Sequence, residues 1–170
     1  MRHKLKIPSK NLFEYRDHYL ERYEGNLADI SDKARSQGYL TLSQLHRICQ
    51  WKSSRRPDLA KKNTPAFVKE ITRFAFSAEC EAARIGALTL LEGVQYPTAS
   101  VILHFCMDDT YPILDFRALW SLSIKKPASY TSKFWIDYIK VCRHVATAHG
   151  MTVRELDMAL WKYSEMHQKE

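Results

Sequence analysis

The chain has 170 residues, 45% of them hydrophobic and 26% charged, with a net charge of +7 and four cysteines. That balance fits one folded domain with one substantial core and excludes a disordered chain. No apolar run approaches the roughly 20 residues of a membrane span. No apolar stretch follows Met1-Arg2-His3-Lys4 to make a signal peptide, so a cytoplasmic protein outside any membrane is expected. The excess of cations suits a polyanionic partner such as nucleic acid. Cys49, Cys80, Cys106 and Cys142 form no CxxC pair, so they read as reduced core thiols, and no metal site is expected.

In chain order, Leu12, Tyr15, Tyr19, Leu20 and Tyr23 fall on one face of a helix that ends near Gly25. Asn26 caps a second short helix ending before Gly38. Thr41-Leu42-Ser43-Gln44 is a capping box, in which the hydroxyl and the amide each satisfy a free backbone N–H. The helix it opens carries Leu42, Leu45, Ile48 and Cys49 on one side. A polar, basic stretch over residues 52–63 follows, holding Lys52, Arg55, Arg56, Lys61 and Lys62 and interrupted by Pro57. Thr64-Pro65 then places a cap and a first-turn proline in the order that helices favour, and Phe67, Ile71, Phe74 and Ala75 continue that helix.

A further helix is expected from about Ala78 to Leu91. Nearer the C-terminus, Ser132 caps a helix with Trp135, Tyr138, Ile139, Cys142 and Val145 on its apolar face, and Gly150 stops it. Thr152-Val153-Arg154-Glu155 is a second capping box, opening a helix that carries Leu156, Ala159, Leu160 and Tyr163. There is no strand pair, internal repeat or low-complexity segment. The pattern predicts an all-α chain of about eight or nine helices in a single compact domain over residues 1–170.

The stretch from Leu91 to Leu103 is the most informative. An apolar helix enters it and another leaves it; Gly93 permits a tight reversal and Pro97 suits the first turn of the second helix. Free N–H groups at the head of that helix can hold a phosphate, although an ordinary αα-hairpin has the same ingredients. Leu91, Gly93, Val94, Thr98 and Ala99, followed by an apolar helix, a loop and Pro112-Ile113-Leu114-Asp115, resemble the helix-hairpin-helix glycosylases of the endonuclease III and MutY superfamily. Leu91 and Asp115 lie 24 positions apart, a span similar to that family's. The likeness is sharpest over residues 83–120, with the hairpin at 83–105, and follows the helix order of a glycosylase core over about 40–165.

The resemblance implies that the hairpin grips a DNA backbone through Gly93, Val94, Gln95, Tyr96 and Thr98, and that Asp115 is the catalytic carboxylate. It also implies departures. Gln95 stands where the family has a second glycine, Pro97 stands where bifunctional members place a lysine nucleophile, and the iron–sulfur cysteines are missing. Proline forms no Schiff base, so a monofunctional enzyme without lyase activity is implied. No organic cofactor is implied, and the resemblance leaves room for a monovalent cation at the hairpin. Cleaving an N-glycosidic bond builds positive charge on the sugar, which a fixed anion stabilises. The plainer reading of Asp115 is an N-cap of the helix that starts at Phe116 and runs to Leu122.

Among the other residues, Gln50-Trp51-Lys52-Ser53-Ser54-Arg55-Arg56 interleaves an aromatic with cations. Lys52, Arg55 and Arg56 are expected on phosphates and Trp51 beside a flipped base; a solvated loop next to a buried tryptophan is the alternative. His104 is a second base-pocket candidate, against a satisfied core histidine. Trp120, Trp135 and Trp161 read as core, and Asp108-Asp109 as a loop rather than a metal pair. The expected whole is a monomer acting on double-stranded DNA, associated with the nucleoid through it, that flips a damaged, mismatched or modified base into a pocket between two helical halves. The alternatives are a non-catalytic helix-hairpin-helix DNA-binding module and a helical protein-interaction domain.

Overall fold

The computed structural model describes residues 1–19, 27–53, 56–107 and 110–168. Leu20, Tyr23, Gly25, Asn26, Ser54, Arg55, Asp108 and Asp109, all named above, lie outside them. Among the described residues there are nine α-helices and two 3-10 helices, Ser9–Asn11 and Pro57–Lys62, and no strand. The helices are α1 (Leu12–Asp17), α2 (Leu27–Gln37), α3 (Leu42–Lys52), α4 (Pro65–Ser77), α5 (Glu81–Leu88), α6 (Tyr96–Cys106), α7 (Phe116–Ser121), α8 (Ser132–Ala148) and α9 (Val153–His167). The chain is all-α. It divides into two compact units, a central one of Arg22–Asp108 and a terminal one that joins Met1–Glu21 to Asp109–Glu170.

Local chemistry sets most boundaries. Both capping boxes form: Thr41 accepts from Gln44 N–H, Thr152 accepts from Glu155 N–H, and each partner side chain reaches back to the cap N–H. Thr64 caps α4 with Pro65 in the first turn. Gly38 and Gly150 take positive φ just beyond α2 and α8. The cap of α8 is Thr131, which accepts from Phe134 N–H, one residue before the expected Ser132. The helix expected from Ala78 is confined to Glu81–Leu88. Its neighbourhood is held by Arg84, which donates to the Ala75 and Phe76 carbonyls at 3.3 and 3.2 Å and to that of Ala78. A guanidinium therefore satisfies the last carbonyls of α4, groups that a helix end leaves without intrahelical partners.

In the central unit, α2, α3 and α5 all pack against α6. That helix is buried at Thr98 through His104 and again at Cys106. In the terminal unit α1, α7 and α8 all pack against α9. Ser121 Oγ donates to the Leu160 carbonyl at 2.7 Å, and the Lys4 and Lys6 N–H groups donate to Leu122 and Ser121 at 2.9 and 2.8 Å. Trp135 belongs to the core, but Trp120 and Trp161 are half-buried: the Lys6 ammonium lies 3.4 Å from the Trp120 ring centre, and Tyr19 meets Trp161 edge-on. Cys49 and Cys106 are buried thiols pushed up by desolvation to about 11 and about 12. Cys80, expected in the core with them, is exposed.

Glu155 links α9 to α1. Its carboxylate accepts from Thr152 N–H at 2.8 Å and from Arg16 at 2.6 Å. The Thr152 N–H, and after it Arg16, hold the carboxyl below its ordinary range. A carboxyl depressed in the folded state adds stability above its unfolded pKa, and that stability is lost as pH falls through the depressed value. Glu155→Gln keeps a side chain that can close the box but does not titrate. The variant should show a shallower fall of melting temperature below about pH 4.3, the ordinary glutamate value, in thermal unfolding followed across pH.

Candidate functional site

The turn between α5 and α6 is set by short-range bonds. Leu91 N–H donates to Leu88 at 3.2 Å, and Val94 N–H donates to Leu91 at 3.0 Å. Gly93 takes φ +83°, a conformation that side chains resist. Gly93 also has a second reason to lack a side chain. A Cβ there would lie 2.9 Å from the Ala60 amide nitrogen and 3.1 Å from the Leu59 Cβ. The turn is thus pressed against the backbone of the 3-10 helix Pro57–Lys62, which carries Lys61 and Lys62 of the basic stretch.

Asn63 makes that junction specific. Its side chain is 7% exposed. The amide nitrogen donates to the Ala60 carbonyl at 2.8 Å and to the Glu92 carbonyl at 3.0 Å, while its oxygen accepts from Glu92 N–H at 3.0 Å. One side chain therefore satisfies both backbone groups of a turn residue and pins the end of the basic segment to it. Nothing in the sequence marked Asn63, because its partner lies 29 positions away.

The hairpin residues divide sharply. Gln95 is exposed and Tyr96 half-exposed at the head of α6; Gln95 contributes no side-chain cap, and Pro97 has no N–H to give. The side chains of Val94 and Thr98 are buried, so contacts from these positions to a ligand would come from the backbone. Arg56, Lys61 and Lys62 are exposed, and Lys52 half-exposed. Lys61 sits 2.6 Å from Asp58, which also meets His46 at 3.1 Å. Trp51 is half-buried and meets Phe105 edge-on, with ring centres 5.5 Å apart. His104, 3% exposed, meets the same Phe105 ring at 4.8 Å. The two base-pocket candidates thus share one phenylalanine that sequence reading did not single out.

Asp115 belongs to the terminal unit. It is half-buried, its backbone is extended at φ −137° and ψ 146°, and its Oδ1 accepts from Arg117 N–H at 2.9 Å. This is the N-cap geometry of α7. Its charge reaches two phenols. Burial, and then the negative Asp115, push Tyr130 above its ordinary value. The buried Tyr138 is raised mainly by desolvation, and its hydroxyl donates to the Ile113 carbonyl at 3.0 Å. The buried carboxylate of Asp157 is compensated by Arg154 at 2.8 Å. Among the described residues no group of histidine, cysteine and carboxylate side chains could hold a metal ion.

The chain matches no protein-family model, no curated protein and no solved structure. The junction at Asn63 can be tested directly. Asn63→Ala leaves the Glu92 N–H and carbonyl without their side-chain partner, while the Ala60 carbonyl keeps the backbone N–H of residue 63 at 3.2 Å, at a cost of about 1–3 kcal/mol. Urea denaturation should give a lower midpoint with an unchanged slope. A midpoint equal to the wild type's would mean that the turn and the basic segment are held by other contacts.

Proposed function

We propose that the chain is a monofunctional DNA glycosylase of the helix-hairpin-helix type, hydrolysing the N-glycosidic bond of a damaged, mismatched or modified base in duplex DNA. The observation that carries this reading is the joining of the glycine turn and the cationic segment by Asn63. A positive-φ turn opening a helix whose N-cap Gln95 gives no side-chain cap, set beside the segment of Arg56, Lys61 and Lys62, would offer backbone N–H donors and cations to a phosphate chain. The Leu91 and Glu92 carbonyls each accept one hydrogen bond within the protein, from Val94 and Asn63. A carbonyl has two lone pairs, and the second of each is what would hold a monovalent cation at the turn.

In the reaction, the bond from the sugar C1′ to the base breaks and its electron pair leaves with the base, which takes up a proton. Water adds to C1′ and loses one. Asp115 would stabilise the cationic sugar and orient the water. Its hydrogen bond to Arg117 N–H fixes the carboxylate, so little reorganisation is needed as charge develops. With Pro97 in place of a lysine nucleophile, the product should be an intact abasic site. One observation favours a second reading. The same bond is an ordinary helix cap, which suits a DNA-binding module without chemistry.

Asp115→Asn separates the two readings because asparagine caps a helix as well as aspartate does. For the enzyme, single-turnover base release from a panel of modified-base duplexes should slow by about 10²–10³, with the fold and duplex affinity kept. A wild type that binds duplex yet releases no base, with free-base detection and alkaline strand cleavage as readouts, would establish the non-catalytic module. Separately, Lys61→Ala with Lys62→Ala should weaken duplex binding regardless of sequence. It should flatten the log–log salt dependence by about 0.9 per lost phosphate contact. An unchanged slope would remove the segment from the interface.

A further inference from the structure

The helix that follows the Asn63 junction presents an unusual outer face. Val68, Thr72 and Ala75 are buried, so the core side of α4 is set by these three residues. The two phenylalanines of the same helix lie elsewhere: Phe67 is 38% and Phe74 53% exposed. Seven residues apart, they stand on one face, about 10 Å from each other along the axis. Beside them is a shallow concavity lined by Ala66, Lys69, Glu70, Arg73, Phe74 and Ser77. Of its lining residues, Ala66 and Ser77 are small. Lys69 and Arg73 stand on the side toward Tyr39, with the Lys69 ammonium 4.6 Å and the Arg73 guanidinium 5.4 Å from the Tyr39 ring centre.

Exposed aromatic rings cost solvation and mark a binding surface when they cluster with directed polar groups. Here the groups beside the rings are two cations against one carboxylate, Glu70, in a chain of net charge +7. In the chain, the helix directly follows the cationic segment. Thr64, which caps α4 through Phe67 N–H at 3.2 Å, directly follows Asn63, and Lys61 and Lys62 directly precede it. Phosphates suit the cations and planar bases suit the phenylalanines. A strand whose bases are unpaired supplies both, whereas a paired duplex hides its base faces.

We propose that the outer face of α4 is a binding site for single-stranded nucleic acid, with bases stacking on Phe67 and Phe74 and the backbone running along Arg73 and Lys69. This goes beyond the glycosylase reading and does not need it: the chain could bind unpaired strands here whether or not it excises bases.

The test uses the full chain and labelled oligothymidylate, with affinity measured by fluorescence anisotropy across a range of salt. Phe67→Ala and Phe74→Ala should each weaken binding roughly 5- to 150-fold, the range for loss of one stacked base. Because both side chains are exposed and alanine favours helix, the variants should keep the wild-type circular dichroism and melting temperature. Lys69→Ala with Arg73→Ala should lower the log–log salt slope by about 0.7 per lost phosphate contact. Folded phenylalanine variants that bind oligothymidylate as the wild type does would overturn the proposal. So would a wild type with no affinity for it at low salt. A loss of self-association in sedimentation on Phe67→Ala and Phe74→Ala, with oligothymidylate binding unchanged, would assign the face to a second copy of the chain instead. Failure of base release with these results intact would count against the glycosylase reading alone.

Discussion

The Asn63 carboxamide makes three hydrogen bonds in a nearly water-free position, and the arrangement of the central unit around its turn depends on them. Glu92 sits in a reversal where neither helix can pair its N–H and carbonyl, and these groups meet Asn63 in a part-buried position where an unpaired backbone group is costly. Asn63 resolves this with one side chain that both donates and accepts. The 3-10 helix is thereby drawn against Gly93, where only a residue without a Cβ leaves room for the Ala60 amide. The cations beside it are carried on a backbone that is already fixed, so a ligand binding them would not have to order it.

Local rules account for what was legible in the sequence. The two capping boxes, the Thr64-Pro65 helix start and the glycines beyond α2 and α8 involve partners within a few residues, and each formed as the pattern requires. Deviations arose where a distant group competes. The segment before α5 stays non-helical while Arg84 occupies the carbonyls at the end of α4. The phenylalanines of α4 fit a helical pattern, yet the face they mark is not the one that packs. Periodicity locates a helix, but which face turns inward is decided by its neighbours. Asn63, Phe105 and Tyr130 were invisible for a related reason: each also meets a residue 15 or more positions away, Glu92, Trp51 and Asp115 in turn.

Under the proposed glycosylase function, Asp115 would satisfy a structural and a chemical demand together. Capping α7 needs an acceptor at this position; supporting a cationic sugar needs a full negative charge. Aspartate meets both, and a helix cap holds a carboxylate in one orientation more firmly than a flexible loop would. Burial, and after it that same charge, favour the neutral form of the Tyr130 phenol, so it adds no second anion.

The division of the chain also orders events in time. The central unit is one continuous stretch, whereas the terminal unit is assembled from two pieces separated by it. A ribosome delivers chains from the amino end, so the α1 segment emerges long before α9, the helix it packs on. Until then Leu12 and Tyr19 lack the helix they pack on, and the backbone partners of Lys4 and Lys6 at Leu122 and Ser121 are made only after the whole central unit. The central helices can close during synthesis, and the α1 segment, made before them, finds its place after them.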